Sequence, residues 1–219
     1  MPKIKNVFKW VNWVENEIYP WGWSPWSNTL LYYSFNDQTL NDKSWNGNNW
    51  SWYSWAWSYV QWIKWYWVQN GNRWIRMPIS MPSWDFTFVI SIYLQNSSSP
   101  SLQTILWSYE WDSTKMHFHW VNWITLAINS TNYSTWAYMD TNAWNNIILT
   151  RSWNIRTIYK NWTQIYQNTI SATLSGWTYM IWCWYTDDRH INWILDEVIL
   201  ENKAWSTEEV SKYVSQLWL

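Results

Sequence analysis

The loop between two predicted strands near residue 190 carries oxygen ligands of the kind that calcium takes in proteins. Calcium needs about six to eight oxygens, which loops supply from carboxylates, amides and backbone carbonyls. Asp187, Asp188 and Asn192 offer two carboxylates and an amide there. Arg189 adds a positive charge beside them, so an exposed ion pair is the alternative. The pattern makes this loop the first candidate calcium site.

A second group of calcium-type ligands lies near the predicted first turn of the fold. Asp37, Asn41 and Asp42 provide carboxylate and amide oxygens there. Side chains of these types also close Asx turns by accepting hydrogen bonds from nearby backbone. Both roles remain open for this group. Calcium is the one cofactor that the sequence suggests.

Other catalytic or metal-binding patterns are weak. His117 and His119 alternate on a predicted strand and could form half of a zinc site, but no third ligand is identifiable and a solvent-facing pair is favoured. Cys183 lies in a β-like run and is expected to be a small buried apolar side chain. Asp196 and Glu197 are adjacent, so in a regular strand they would face opposite ways and could not act as a catalytic pair.

Short strands separated by turn residues are predicted to position these groups, which is typical of an all-β sandwich. The predicted strands cover residues 30–35, 74–79, 86–94, 104–109, 115–121, 124–129, 147–150, 155–160, 163–166, 178–183 and 194–201. Strand 86–94 is long and apolar on both faces, as expected of a central strand. One helix closes the chain after a capping box formed by Ser206 and Glu209.

Residues 155–160 and 163–166 are separated only by Asn161 and Trp162, which predicts a two-residue hairpin turn. We expect positive φ at both central positions, where glycine is usual. A bulky side chain in the left-handed region costs about 1–2 kcal/mol. Asn161 suits such a turn, and Trp162 does not.

The same conflict recurs along the chain, which has 29 Trp and 4 Gly in 219 residues. An ordinary domain contains about 7% Gly, on the order of 15 residues at this length. Ten tryptophans follow Ser or Asn, the contexts in which glycine marks turns: Trp13, Trp45, Trp50, Trp52, Trp55, Trp84, Trp123, Trp153, Trp162 and Trp193. Our hypothesis is that most of the 29 tryptophans are glycine in the natural protein, through a UGA codon that the organism's own genetic code reads as glycine. The alternative is a surface protein that is genuinely rich in tryptophan.

Composition limits the classes of protein to consider. A formal charge of −1 with 13% charged residues gives no nucleic-acid-binding footprint. No run of 18 or more apolar residues predicts membrane insertion, and the first residues contain no apolar stretch of signal-peptide length. Residues 1–28 are predicted to be an attachment segment with a Pro/Gly/Ser-type linker, and residues 29–219 a single sandwich domain.

Three blocks of sequence resemble laminin-G-like domains of the concanavalin A-like lectin/glucanase superfamily. With glycine restored, residues 31–50 read LYYSFNDQTLNDKSGNGNNG, which is similar to the family's "D-S-G-N-x-N-G" turn. Residues 144–166 and 193–210 are similar to its "W-H-H-V-A-L-T-R-D-G…L-Y-V-N-G" and "G-x-I-D-E-V" units. The last unit includes Asp196. The resemblance identifies Trp144, as a core residue, and Trp205, before the capping box, as genuine tryptophans.

The resemblance implies a jelly roll of two antiparallel sheets that binds sugars or proteins, often with calcium. The glucanases of this superfamily carry E-x-D-x-x-E on one strand, and its absence here predicts a protein that is not an enzyme. Sugar binding in such folds uses aromatic rings that stack on the pyranose. The candidate rings are the tyrosines in or beside predicted loops: Tyr109, Tyr133, Tyr138 and Tyr185. Asn132 and Asp188 are the candidate polar partners.

The sequence therefore predicts a non-catalytic carbohydrate-binding or adhesion module at a cell or virion surface, with a glycan or protein surface as its partner. The alternative is a structural or decoration protein of a phage particle that packs against other subunits or self-associates. With glycine restored, VFKGVNGVENEIY near the N-terminus is similar to a short repeat of phage structural proteins. A glycoside hydrolase is the disfavoured third reading.

Overall fold

The computed structural model describes the chain in segments: residues 28–34, 42, 44, 46–49, 51–52, 57–62, 65–70, 75–94, 103–108, 117–120, 123–128, 131–172, 178–181 and 193–217. Residues 1–27 lie outside this set. The attachment segment and linker therefore remain a prediction from the sequence.

The described residues contain fifteen strands and one helix. They are β1 Thr29–Ser34, β2 Ser51–Trp52, β3 Trp57–Trp62, β4 Trp65–Asn70, β5 Ile75–Ser80, β6 Phe86–Leu94, β7 Gln103–Ser108, β8 His117–Trp120, β9 Ile124–Ile128, β10 Thr131–Ser134, β11 Ala143–Ser152, β12 Ile155–Lys160, β13 Thr163–Thr169, β14 Thr178–Ile181, β15 Trp193–Glu201 and α1 Thr207–Leu217. The predicted all-β class with a short C-terminal helix is confirmed. The sequence missed β2, β3, β4 and β10.

Two antiparallel sheets contain these strands. The large sheet runs β13-β12-β11-β6-β15-β4-β3, and β1 pairs with the other half of β15. The smaller sheet runs β10-β9-β8-β7-β14-β5-β2. Strand β6 lies between β11 and β15, which confirms its predicted central position.

The main core lies between the two sheets. Alternate residues of β6, from Phe86 to Leu94, are almost completely buried there, together with Ile124, Leu126 and Ile128 of β9. Side chains alternate between the faces of a strand, so the residues between these point to the outer face of their sheet. Each fully buried large apolar side chain stabilises the fold by about 1.5–3 kcal/mol.

A second apolar cluster covers the outer face of the large sheet. Val210 and Val214 of α1 pack there against Val89, Ile148 and Ile199, one from each of three adjacent strands. The helical spacing of its apolar residues gives α1 this one buried face.

The capping box predicted at the start of α1 is present. The Ser206 Oγ accepts a hydrogen bond from the Glu209 backbone N at 3.2 Å, and the Glu209 carboxylate accepts one from the Ser206 backbone N at 2.8 Å. Lys203 forms an ion pair with Glu209 from the preceding turn. The start of the helix is therefore fixed by its own sequence.

The hairpin predicted at Asn161 and Trp162 is confirmed, because Lys160 pairs with Thr163 across it. The expected backbone was only half right. Asn161 has φ 45°, whereas Trp162 is not among the residues with positive φ. A type II′ turn needs positive φ only at its first central position. The β11–β12 hairpin repeats this arrangement with Trp153 at φ 54°.

Candidate functional site

The edge of the smaller sheet formed by β9, β10 and the loop after β10 contains three of the predicted sugar-binding residues. Asn132 pairs with Ala127 and is exposed on the outer face. Tyr138 lies in the loop with 62% of its surface exposed, next to the buried Met139. Tyr133 instead pairs with Leu126 and packs against the core. It is therefore not available as a stacking surface.

The strand registers continue from this edge across the smaller sheet. Ala127 pairs with Asn132 on one side and with His117 on the other, and His117 pairs in turn with Trp107. His119 pairs with Thr125, two residues along. The two histidines thus occupy alternate positions of β8, as the sequence predicted.

This edge has the chemistry of a sugar-binding surface. An exposed phenol ring offers an apolar face with a polar tip, and the Asn132 amide has two donors and an acceptor. The half-buried Ser134 hydroxyl adds one further group, 3.4 Å from the hydroxyl of Thr125, which is itself buried and bonded to the Trp123 carbonyl. Stacking on the exposed ring and hydrogen bonding to the exposed amide are the interactions that these side chains can offer.

Most of the other predicted ligands lie outside the described residues: Asp37, Asn41, Tyr109, Tyr185, Asp187, Asp188 and Asn192. Within the part of the chain that the structure describes, no group of three or more His, Cys, Asp or Glu residues is placed to hold a metal ion. The loop at 187–192 therefore remains a prediction from the sequence.

Asp42 organises the turn that follows β1. Its carboxylate accepts four hydrogen bonds from the protein: from the backbone N of Tyr32 at 3.0 Å, from the backbone N and hydroxyl of Ser44 at 2.9 and 2.8 Å, and from the backbone N of Asn48 at 3.0 Å. Asn46 ties the turn to the Thr29 carbonyl at 2.7 Å. These bonds are those of the Asx-turn alternative, and they explain the D-x-S-x-N-x-N spacing.

Asp196 and Glu197 do not alternate as the sequence suggested. A β-bulge interrupts the β15–β6 pairing between Leu195 and Val198, and both of those side chains face the core. The two carboxylates therefore lie together between two inward-facing residues, because a bulge breaks the strict alternation of a strand. The expectation that they face opposite ways was wrong.

Burial and mutual repulsion act on this carboxylate pair. The pKa of Asp196 is raised well above its ordinary value by burial and by the neighbouring Glu197 charge. The pKa of Glu197 is also raised, because burial outweighs the hydrogen bonds that its carboxylate accepts from Tyr213 at 2.5 Å and Tyr32 at 3.3 Å. Asp196 Oδ1 is buried without a hydrogen-bond partner. Glu197 links α1 to the sheet through the Tyr213 hydroxyl.

Trp205 lies in the interior and bonds to two neighbouring elements. It is 3% exposed, and its indole N donates to Glu201 at 2.6 Å. Its backbone N donates to the Thr87 hydroxyl at 2.9 Å. Trp144 is half-buried rather than in the core, with its ring edge-on to Tyr93 at 5.6 Å.

Asn161 holds the start of the β12–β13 turn against β11. Its side-chain oxygen accepts a hydrogen bond from the Asn146 backbone N at 3.0 Å, and its own N donates to the Asn146 carbonyl at 2.7 Å. Asn146 also accepts from the Ser91 hydroxyl at 2.6 Å. The Asn161 side chain and backbone therefore join the turn to β11.

Four tryptophans have rings that project from turns and loops. Trp84, Trp136, Trp153 and Trp162 are 75%, 72%, 77% and 58% exposed. Trp136 and Trp153 also have positive φ, 60° and 54°. Trp123 lies against Trp136, with ring centroids 4.6 Å apart. Trp84, Trp153 and Trp162 have no contact of this kind with another aromatic ring among the described residues.

Arg151 and Arg156 form a cluster that sequence reasoning missed. They pair directly across the β11–β12 hairpin, and both are buried, with 4% and 0% of their surface exposed. The spacing R-S-W-N-I-R around a two-residue turn places the arginines opposite one another, so the sequence contained the signal. Asp85 accepts a hydrogen bond from the Trp153 backbone N at 2.7 Å beside them.

No family model matches the chain, and no curated protein matches it in sequence. Solved structures do match. Domain 4 of AbnA, a GH43 extracellular arabinanase from Geobacillus stearothermophilus in complex with arabinotriose, has a TM-score of 0.69 at 12% identity, over 85% of this chain and 98% of that chain.

Two toxin structures match over about half of their own length. The binding domain of Paraclostridial Mosquitocidal Protein 1 has a TM-score of 0.72 at 14% identity, over 87% of this chain and 52% of that chain. The botulinum neurotoxin serotype D binding domain has a TM-score of 0.63 at 14% identity, over 86% and 51%. At these identities the likeness shows the fold: a two-sheet antiparallel β-sandwich shared with binding domains.

The described part of the chain contains no helix with the length and hydropathy that a membrane crossing requires.

Proposed function

We propose that this protein is a non-catalytic carbohydrate-binding module of the laminin-G-like type. The observation that carries the proposal is the match to nearly the whole of an arabinanase domain solved with arabinotriose. We place the ligand at the edge of the smaller sheet, where Tyr138 supplies the stacking ring and Asn132 the amide. The extracellular setting of that arabinanase supports an extracellular location for this chain.

The environment of the Asp196–Glu197 pair supports a non-catalytic role. A glycosidase needs a carboxylic acid and a carboxylate that both reach the scissile bond. Both Glu197 oxygens already accept hydrogen bonds from tyrosine hydroxyls, and Asp196 Oδ1 is closed to solvent. These contacts suit an anchor for α1 better than a catalytic acid and base.

An oligosaccharide array tests this function. The protein should bind at least one glycan, with arabinan oligosaccharides included in the set, and Asn132→Ala should weaken that binding. Asn168→Ala is the matched control, because Asn168 is an exposed amide on β13 of the other sheet. A chain that binds no glycan and self-associates in light scattering would instead support the structural-subunit alternative.

We propose one calcium site, in the loop at residues 187–192. The four hydrogen bonds to Asp42 support a turn role for that residue, so we assign the calcium proposal to the loop with Asp187, Asp188 and Asn192. Calorimetric titration of calcium into the chelator-treated protein tests it. Saturable binding that Asp188→Asn abolishes is expected, and no binding with no change in melting temperature would remove the proposal.

We also infer that most turn tryptophans stand for glycine in the natural protein. The positive φ of Trp136 and Trp153 and the exposure of their rings support this inference. UGA codons at these positions, with UGG at Trp205, are expected in the gene. UGG codons at Trp136 and Trp153, or a mass of 27.1 kDa for protein made in its own host, would contradict it.

A further inference from the structure

Two buried arginines face one another at the end of the large sheet. Arg151 and Arg156 are direct cross-strand partners, so their side chains lie on the same face. Both belong to the face whose other residues, Leu149 and Ile158, line the core. Like charges directly opposite each other are unfavourable in a sheet, and burial removes the water that would screen them.

The protein satisfies only part of this donor set. Arg151 Nε donates to the Trp153 carbonyl at 2.9 Å, and Arg156 Nη1 donates to the same oxygen at 3.2 Å. Arg156 Nη2 donates to the Ala172 carbonyl at 2.8 Å. Arg151 Nη1 and Arg156 Nε are buried and have no partner. Both acceptors, the carbonyls of Trp153 and Ala172, are neutral main-chain oxygens, so neither arginine is neutralised by its bonds.

Charge in this cluster is not balanced. Asp85 is the carboxylate whose charge acts on Arg151, and its Oδ1 already accepts from the Trp153 backbone. Neither arginine forms an ion pair within the described residues. Burial lowers the pKa of Arg156 to about 10, with a further contribution from the Arg151 charge. Buried charges are normally paired, because removing an unpaired ion from water is costly.

We propose that Arg151 and Arg156 form a binding site for one oxyanion, a carboxylate or a sulfate-like group. Its oxygens would accept hydrogen bonds from the unpartnered N–H groups at Arg151 Nη1 and Arg156 Nε, as in other guanidinium–oxyanion pairs. The remaining nitrogen of Arg151, Nη2, is neither hydrogen-bonded nor fully buried, so the cluster reaches solvent on the Arg151 side.

This site is independent of the proposed sugar-binding edge and of the tryptophan question. Tyr138 precedes the start of β11 at Ala143, whereas Arg151 lies near the end of that strand. Eight residues separate Ala143 from Arg151, about 26 Å at roughly 3.3 Å per residue. The only atoms of residue 153 that the cluster uses are main-chain atoms. Failure of either proposal leaves the other standing.

Calorimetric titration of sodium sulfate and sodium acetate, at constant ionic strength in chloride, tests the site. Saturable binding with one ion per chain is expected for the wild type. Arg151→Met should abolish it. Lys160→Met is the matched control, because it removes a cation from the opposite end of β12, where Lys160 pairs with Asp140, and it should leave binding unchanged.

Two further arms complete the test. Arg151→Lys keeps the charge but not the planar donor fork, so it should bind at least tenfold more weakly than the wild type, and it replaces Arg151→Met if that variant does not fold. Glucuronate binding tighter than acetate binding would identify a sugar carboxylate as the ligand, and equal binding would identify a free anion. An adventitious ion only, meaning no saturable binding or equal binding by all variants, would overturn the proposal.

Discussion

Trp153→Gly should stabilise the protein, although it removes the largest side chain from a structured turn. Trp153 is the first central residue of the β11–β12 hairpin, with φ 54° and 77% of its surface exposed. Its backbone N and carbonyl bond to Asp85, Arg151 and Arg156, and glycine keeps all of these bonds. The substitution therefore changes the backbone preference and little else.

The size of the effect follows from two opposing contributions. Relief of the left-handed backbone is worth about 1–2 kcal/mol, and the extra freedom of glycine in the unfolded chain costs about 0.4–1 kcal/mol. The exposed ring contributes little burial. The net gain in the free energy of unfolding is therefore about 1 kcal/mol, which corresponds to a rise in Tm of about 2–4 °C for a chain of this size.

Thermal and urea unfolding of Trp153→Gly measures this change in the free energy of unfolding, with Trp162→Gly as the control. Trp162 is also exposed in a two-residue hairpin turn, but its φ is not positive. Trp162→Gly should therefore lower the free energy of unfolding by about 0.4–1 kcal/mol through the unfolded state alone. Equal effects of the two substitutions, or a loss of stability in Trp153→Gly, would refute the backbone argument.

Three further predictions concern the interior and the helix. Trp205→Ala should cost about 3–5 kcal/mol, measured by urea unfolding, because the ring is buried and its loss leaves Glu201 Oε2 without the indole donor, with only Oε1 still bonded to Thr29; a cost below about 1 kcal/mol would contradict its core role. Ser206→Ala should cost about 1 kcal/mol through loss of the cap, whereas Ser211→Ala on the exposed face of α1 should be neutral. The raised pKa values of Asp196 and Glu197 mean that these two groups bind more protons in the folded state than in the unfolded chain, so their contribution to stability is fully present below the ordinary carboxyl pKa and is lost as pH rises through the raised values. Asp196→Asn should flatten this dependence, measured as Tm against pH; an unchanged pH profile of Tm would contradict the assignment.

The outline of the fold could be predicted because the strands bury one or both faces. Strand β6 has apolar residues along its whole length, and its ends were predicted as observed. The start of α1 could be predicted in the same way, since Ser206 and Glu209 bond to each other's backbone three residues apart. Local chemistry of this kind needs no knowledge of distant contacts.

Strands β2, β3 and β4 could not be predicted for the opposite reason. Their sequences, SW, WSYVQW and WYWVQN, contain the Ser-Trp and Trp-rich patterns that we had interpreted as glycine turns. Strand β10, TNYS, consists of turn-type residues and is exposed on its first half. Its pairing with β9 depends on a hairpin that short-range pattern does not specify.

The candidate site was predicted only in part, because the face that a residue occupies depends on strand register. Tyr133 and Asn132 are neighbours, yet pairing with Leu126 turns the tyrosine toward the core and pairing with Ala127 turns the asparagine outward. The bulge at Asp196 likewise depends on β6 and on nothing in the sequence of β15. Register and bulges are tertiary properties that alternation alone does not reveal.

The most direct test of the carbohydrate-binding role is calorimetric titration of the best array ligand into the wild type, Tyr138→Ala and Trp162→Ala. Loss of a stacking ring worth about 1.4 kcal/mol weakens binding about tenfold. We predict saturable binding to the wild type and to Trp162→Ala, an exposed aromatic outside the proposed site, and at least tenfold weaker binding to Tyr138→Ala. Equal affinity of all three proteins would contradict the proposed site, and the absence of any glycan ligand would contradict the proposed function.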